Sequence, residues 1–200
     1  MSTLRFTTNL LAAAVVAAAV PVSADLSEAT PAAGTPRAAA QTPTPTIVES
    51  DWSGKHKVAS ATCPPGTGLV GGGFDSYNSR TSLGTNTDSM ELNAPSDTEP
   101  NTWQVQLTNG QARAYAMCVP GAPTPTIVAS AWSERGSKAY ATCPQGKALI
   151  GGGADSRPST NSFSQVGDAQ QANTPDAQKP NTWRAEMMIG ESRAFAMCVD

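Results

Sequence analysis

The sequence predicts an all-β fold: two tandem, homologous small antiparallel β-sandwich or barrel modules, each with one internal disulfide. Residues 43–120 reappear at 123–200 at a fixed offset of 80, without gaps. Trp52 thus matches Trp132, Cys63 matches Cys143, Gly71-Gly72-Gly73 matches Gly151-Gly152-Gly153, Trp103 matches Trp183, and Cys118 matches Cys198. Thr102-Trp103-Gln104-Val105-Gln106-Leu107 alternates apolar and polar residues as a half-buried strand does. No stretch of about 12 residues beyond the leader carries the 3.6-residue period of a helix. Composition points to the same class, because small extracellular modules with few large apolar residues are commonly stapled by disulfides.

Met1 to Ala24 reads as a secretory signal peptide: Arg5, a run from Leu10 to Val20 of Leu, Ala and Val only, then Val22-Ser23-Ala24 as a cleavage site. The run is shorter than the roughly 20 residues a bilayer requires. From Asp25 to Thr42 the chain is rich in Ala, Pro and Thr and is predicted to be a disordered linker. Module 1 spans 43–120 and module 2 spans 123–200, with so little chain between them that the two are expected to touch.

Each module opens with Pro-Thr-Pro-Thr-Ile-Val, an extended segment in which proline excludes helix. Ala59, Ala61 and Cys63 fall on one face at period two and predict a strand ending at the cysteine, repeated at Ala139, Ala141 and Cys143. Cys-Pro-x-Gly is a turn. Leu69-Val70 and Leu149-Ile150 then run into the three glycines, a pattern for a strand with a bulge or for close packing of a large ring. The segments 75–100 and 155–180 are polar and predict long loops, with one short strand near Met90 to Leu92. Thr102–Thr108 and Arg113–Val119 predict a hairpin about Asn109-Gly110, residues that tolerate positive φ.

Four cysteines allow three pairings. Repetition favours Cys63–Cys118 and Cys143–Cys198, since each copy is expected to fold by itself. Each bridge closes a loop of about 55 residues, worth roughly 4 kcal/mol in the chain-entropy picture.

A net charge of -3 and a pI near 5.1 argue against nucleic acid, which demands a concentrated basic face. No second hydrophobic segment or polybasic run supports membrane insertion. The single histidine, His56, is matched by Gly136, so a Ser-His-Asp arrangement would exist in one module at most. The expectation is therefore not an enzyme, with no cofactor and no metal. Calcium is left open by the matched acids Asp75 and Asp155, and Asp88 and Asp168, although no dense Asp-x-Asp-x-Asp run accompanies them.

Trp103 and Trp183 lie in alternating strands and are expected in the core. Trp52-Ser53 and Trp132-Ser133 sit in Ser-x-Trp-Ser segments and, with Asp75 and Asp155, are the candidate ligand-binding residues. Sugar C–H groups stack on aromatic faces while hydroxyls seek short polar partners, which such segments offer. The competing reading has Trp52 stapling the opening segment to the sheet. Arg113 and Arg193 are expected to pair with Asp75 and Asp155.

The order Ala-Thr-Cys-Pro-x-Gly, apolar-Gly-Gly-Gly, Trp, then Ala-x-Ala-Met-Cys-Val resembles a small module found in secreted proteins of actinobacteria and other bacteria. It is more distantly similar to C-terminal tip segments of some pilus adhesins. The resemblance covers about residues 57–119 and 137–199 and implies extracellular location, disulfides, and surface or glycan binding; it carries no catalytic residue set. Function is accordingly expected to be that of a secreted, non-catalytic binding protein, recognising a surface glycan or an extracellular protein through loops of both modules. A secreted protease inhibitor acting through Ser133-Glu134-Arg135-Gly136 is the alternative. A hydrolase using Asp75 with Asp88, and Asp155 with Asp168, ranks third.

Overall fold

Ala112, Ala114, Ala116 and Cys118 alternate with Arg113, Tyr115 and Met117, and this alternation sets the architecture of the first repeat. In the computed structural model, which describes residues 43–79, 88–159 and 167–200, the small residues all point into the core. The expected leader and linker, and the segments 80–87 and 160–166, lie outside the described residues. Repeat 1 forms β1 (Thr46–Glu49), β2 (Ala59–Thr62), β3 (Thr67–Tyr77), β4 (Met90–Pro95), β5 (Thr102–Leu107) and β6 (Gln111–Pro120). Repeat 2 forms β7 (Thr126–Ala129), β8 (Lys138–Thr142), β9 (Ala148–Arg157), β10 (Gln170–Pro175), β11 (Thr182–Met187) and β12 (Glu191–Val199). Every pairing between strands is antiparallel.

In repeat 1 the sheet β1-β6-β3 packs over β2-β5-β4, and both contribute to one core. The sequence suggests a hairpin joining β5 to β6, but the two strands lie in different sheets. The chain turns a corner at Asn109-Gly110 instead of doubling back. Positive φ is not what the turn needs, since neither residue adopts it. Glycine is required by space: a Cβ on Gly110 would overlap the Asp88 carboxylate and the Tyr77 carbonyl, and one on Gly190 would overlap the Arg157 carbonyl. Because β2 and β6 belong to facing sheets, Cys63–Cys118 is a bolt between layers; its Cα atoms are 5.5 Å apart. Cys143–Cys198 does the same in repeat 2, with a Cα separation of 5.6 Å.

Both readings of the glycine triplet hold together. The β3–β6 register slips between Leu69 and Gly71, leaving Val70 as the extra residue of a bulge. Directly after it, the Trp103 indole lies on Gly72 so closely that any Cβ there would overlap the ring. Trp103 is buried, and its Nε1 donates to Asn93 Oδ1 at 2.9 Å, which removes the cost of burying a donor. Trp183 repeats the arrangement over Gly152 and donates to Asn173 Oδ1 at 2.7 Å. The matched Asn101 and Asn181, both at φ 55, shape the turn before β5 and β11. Asn101 Oδ1 accepts from the Leu69 amide at 3.2 Å, which ties that turn to β3.

The repeats join directly. β4 of repeat 1 pairs with β9 of repeat 2 through Leu92↔Asp155 and Asn93↔Ala154, creating one six-stranded sheet, β2-β5-β4-β9-β12-β7. Gln41–Asp200 accordingly forms one compact unit. Met197 of repeat 2, with Ile127 beside it, packs into the core cluster of repeat 1. Ser156 Oγ donates to the Met90 and Glu91 carbonyls, and Arg193 Nη2 reaches Asp97 Oδ2 at 2.7 Å.

Candidate functional site

Ser-x-Trp-Ser is a clamp around a displayed ring. After β1, the Ser50 amide donates to the Ala114 carbonyl, and Ser50 Oγ accepts from the Ala114 amide at 3.0 Å. Ser53 does the same with Ala112, its Oγ accepting at 2.9 Å. The two serines therefore extend the β1–β6 ladder past the end of the regular strand and pin the segment on both sides of Trp52. Ser53 is buried and its hydroxyl is engaged, so it supports the site from below. Ser133 and Ser130 hold the Trp132 segment against Ser192 and Ala194 in the same way.

Trp52 remains 42% exposed. The Arg113 guanidinium sits 5.0 Å from its ring centroid, within cation–π range, and Arg113 Nη1 lies 3.5 Å from Glu49 Oε2. Trp52, Tyr77 and Gln111 line a depression of about 320 Å³. A second depression, of about 710 Å³, is lined by Lys55, Ser76, Tyr77, Asn78, Ser79 and Gln111, so that Tyr77 and Gln111 form a wall common to both. Gln111 is fixed by donating from Nε2 to the Ser53 carbonyl at 3.0 Å. The result is an indole and a phenol beside amide, ammonium and hydroxyl groups, a combination that suits a polyhydroxylated ligand with apolar C–H faces.

Repeat 2 fills the corresponding position with its own side chains. Arg157 replaces Tyr77 and lies 3.9 Å from the Trp132 ring centroid; Glu191 replaces Gln111 and pairs with Arg157 at 3.1 Å. Trp132 is thus capped by an ion-paired guanidinium. Neither Tyr77 nor Gln111 is among the sequence-derived candidates. The signal available for them is their difference between copies, Tyr against Arg and Gln against Glu, shared with their neighbours Asn78 against Pro158 and Lys55 against Arg135.

The matched acids serve other ends. Asp88 accepts the amides of Ser79 and Asn109, each at 2.9 Å, and so ties the corner between sheets to the end of β3. Asp168 accepts from Ser159, Ala169, Ile189 and Gly190. Burial alone would raise the Asp168 pKa, but these backbone donors outweigh it and lower the pKa. Asp75 lies opposite Arg113 in the ladder yet accepts from the Tyr115 hydroxyl at 2.6 Å. The ion-pair partners expected for the arginines are replaced: Glu49 pairs with Arg113 and Asp97 with Arg193. Asp155 is at the junction of the repeats, where burial pushes its pKa up to about 6 against the pull of the Ser156 amide and Arg193. Among the described residues no group of three or more His, Cys, Asp or Glu side chains is arranged to hold a metal ion. Arg135 of the alternative inhibitory loop donates to Ser159 Oγ at 2.8 Å. The left-handed turn that His56 adopts at φ 52 is taken by Gly136 at φ 64, so the His/Gly mismatch lies at one turn position.

No family model, curated protein or solved structure matches this chain. The two inter-sheet disulfides are consistent with an extracellular location.

Proposed function

We propose that this is a secreted, non-catalytic binding protein that captures a carbohydrate chain on repeat 1, with Trp52 and Tyr77 as the stacking platform and Gln111, Lys55, Asn78 and Ser79 as polar partners. The single observation that carries this reading is the exposed Trp52 beside Tyr77 over a depression, on a segment held rigid by Ser50 and Ser53. Rigidity matters because an immobile aromatic face loses little entropy when a ligand stacks on it. Engagement of Asp88 by backbone amides supports the non-catalytic reading over a paired-carboxylate hydrolase.

The test is retention of residues 25–200 on insoluble cell-wall polysaccharides and a glycan array, compared with Trp52→Ala, Tyr77→Ala and Trp132→Ala. Loss of a stacking ring is expected to weaken binding at least about tenfold for Trp52→Ala and Tyr77→Ala. Trp132→Ala is expected to bind as the unaltered protein does. Equal losses at Trp52 and Trp132, or no retention on any polysaccharide, would overturn the reading.

A further inference from the structure

The junction between the repeats is head-to-tail: the β4 side of repeat 1 receives the β9 side of repeat 2. Each surface has its counterpart 80 residues away, β3 in repeat 1 and β10 in repeat 2. Among the described residues both counterparts are sheet edges, β3 pairing with β6 and β10 with β11 alone. We propose that these two edges are the two halves of a second junction of the same kind, made between copies of this chain, so that the protein self-associates head-to-tail.

Four comparisons support the proposal. At the junction, Gly153 lies under the crossing Asn93–Ala94 backbone, where any Cβ would overlap it. Its counterpart Gly73 has nothing within 4 Å of where a Cβ would be and is not at positive φ, yet it is also glycine. Among the described residues of one chain nothing crowds Gly73; against the Asn173–Thr174 strand of another copy it has the same reason as Gly153 to lack a side chain. Next, Met197 is fully buried against repeat 1, whereas its counterpart Met117 is 39% exposed and Ile47, the counterpart of Ile127, is 56% exposed. On the opposite half, Pro95 and Ser96 are buried by the junction, whereas Pro175 is exposed and Asp176 half-buried. Finally, Arg193 Nε donates to the Ser130 carbonyl while the guanidinium reaches Asp97, but Arg113 Nε is buried without a hydrogen-bond partner.

A contact between two different surfaces leaves one half of the pair free on each partner until a ring closes. Each added copy presents the same free pair again, so the product is a ring if the rotation per copy closes and a filament if it does not. The chemistry at the new junction is weaker than at the old one. Ala177 stands where Asp97 supplies the ion pair, and Phe74 and Thr174 replace the fully buried Ala154 and Ala94. Association between chains is therefore reversible. Arg157, the counterpart of Tyr77, keeps a side-chain exposure of 61% beside the existing junction. The depression at Trp52 accordingly stays open in the assembly, and failure of carbohydrate binding would leave self-association unaffected.

Sedimentation velocity and light scattering of residues 25–200, which retain the whole compact unit, test the proposal between about 1 µM and about 1 mM. Mass is expected to rise with concentration above that of the monomer. Gly73→Val, at a site open in the single chain, and Met117→Glu, at an exposed position, should each weaken association at least about tenfold while the thermal midpoint of the dilute protein is unchanged. Ala177→Asp, which gives Arg113 the partner that Asp97 gives Arg193, should tighten it by about threefold to tenfold. A monomer across the whole range, or association indifferent to Gly73→Val and Met117→Glu, would overturn the proposal.

Discussion

The two repeats share their scaffold and differ at their surface. Inter-sheet disulfides, tryptophan-on-glycine stacks and aspartate-bound corners occur in both. The rim around the displayed tryptophan does not: Tyr77 and Gln111 leave Trp52 open, and Arg157 and Glu191 close over Trp132. Identity between copies therefore marks most of the shared scaffold, and divergence is concentrated at the rims of the displayed rings. A reader who trusts identity alone arrives at the serines, which turn out to be clamps.

The largest effect should come from what the repeats share. Removing one bolt, as in Cys63→Ser with Cys118→Ser, is expected to cost up to about 4 kcal/mol, read as the shift of a denaturation midpoint. The same pair of changes at Cys143 and Cys198 should cost a similar amount, since both bridges span 55 residues. A much smaller loss in either repeat would mean that its sheets are held by packing alone.

Next comes the carboxyl at the junction, which has no buried equivalent in repeat 1. Asp155 has its pKa raised from 3.8 to about 6, chiefly by burial. Below the lower value both folded and unfolded chains hold the proton and the contribution to stability is complete. As pH rises toward about 6 the unfolded chain releases its proton first, so stability falls, levelling off above the folded value. At about 1.4 kcal/mol per pKa unit, discounted for partial exposure, the decline is about 2 kcal/mol. Asp155→Asn should abolish that decline in melting experiments between pH 4 and 8, and a profile unchanged by the substitution would contradict the assignment.

Valine at the matched glycines separates the repeats more finely. Gly153→Val forces the crossing β4 strand away and is expected to destabilise by about 1–3 kcal/mol, whereas Gly73→Val in dilute solution should be near neutral. Smallest in stability, and most direct for function, is an exchange of rims. Arg157→Tyr with Glu191→Gln uncovers Trp132 and should give repeat 2 a carbohydrate site of its own, visible as a second binding event in calorimetry. Tyr77→Arg with Gln111→Glu should silence repeat 1 without lowering its melting point by more than about 0.5 kcal/mol equivalent.

Much of the fold is legible in the chain because it rests on local patterns. Period-two alternation places β2, β5 and β6, and the repeat singles out the disulfide partners correctly. The partner of β5 is not legible. An alternating strand followed by Asn-Gly and another alternating strand reads as a hairpin, and the placement of β5 and β6 in different sheets depends on long-range pairing that local pattern does not carry. The β4–β9 pairing is equally invisible, since it depends on two distant edges meeting in space: Asn93 and Ala154 differ by 61 positions. At the site, Trp52 is readable as a displayed ring or a staple. Its depression depends on Tyr77, which the sequence places in a polar loop and the structure places at the end of β3.

The four tryptophans also make the molecule its own optical instrument. Trp103 and Trp183 are hydrogen-bonded to asparagine and pressed on glycine, so their emission follows the integrity of the two sandwiches. Trp132 is half-buried with a guanidinium 3.9 Å from its ring, while Trp52 is 42% exposed. Iodide should therefore dim Trp52 more than the other three indoles, and a ligand settling on that ring should protect it, giving a label-free signal weighted toward repeat 1.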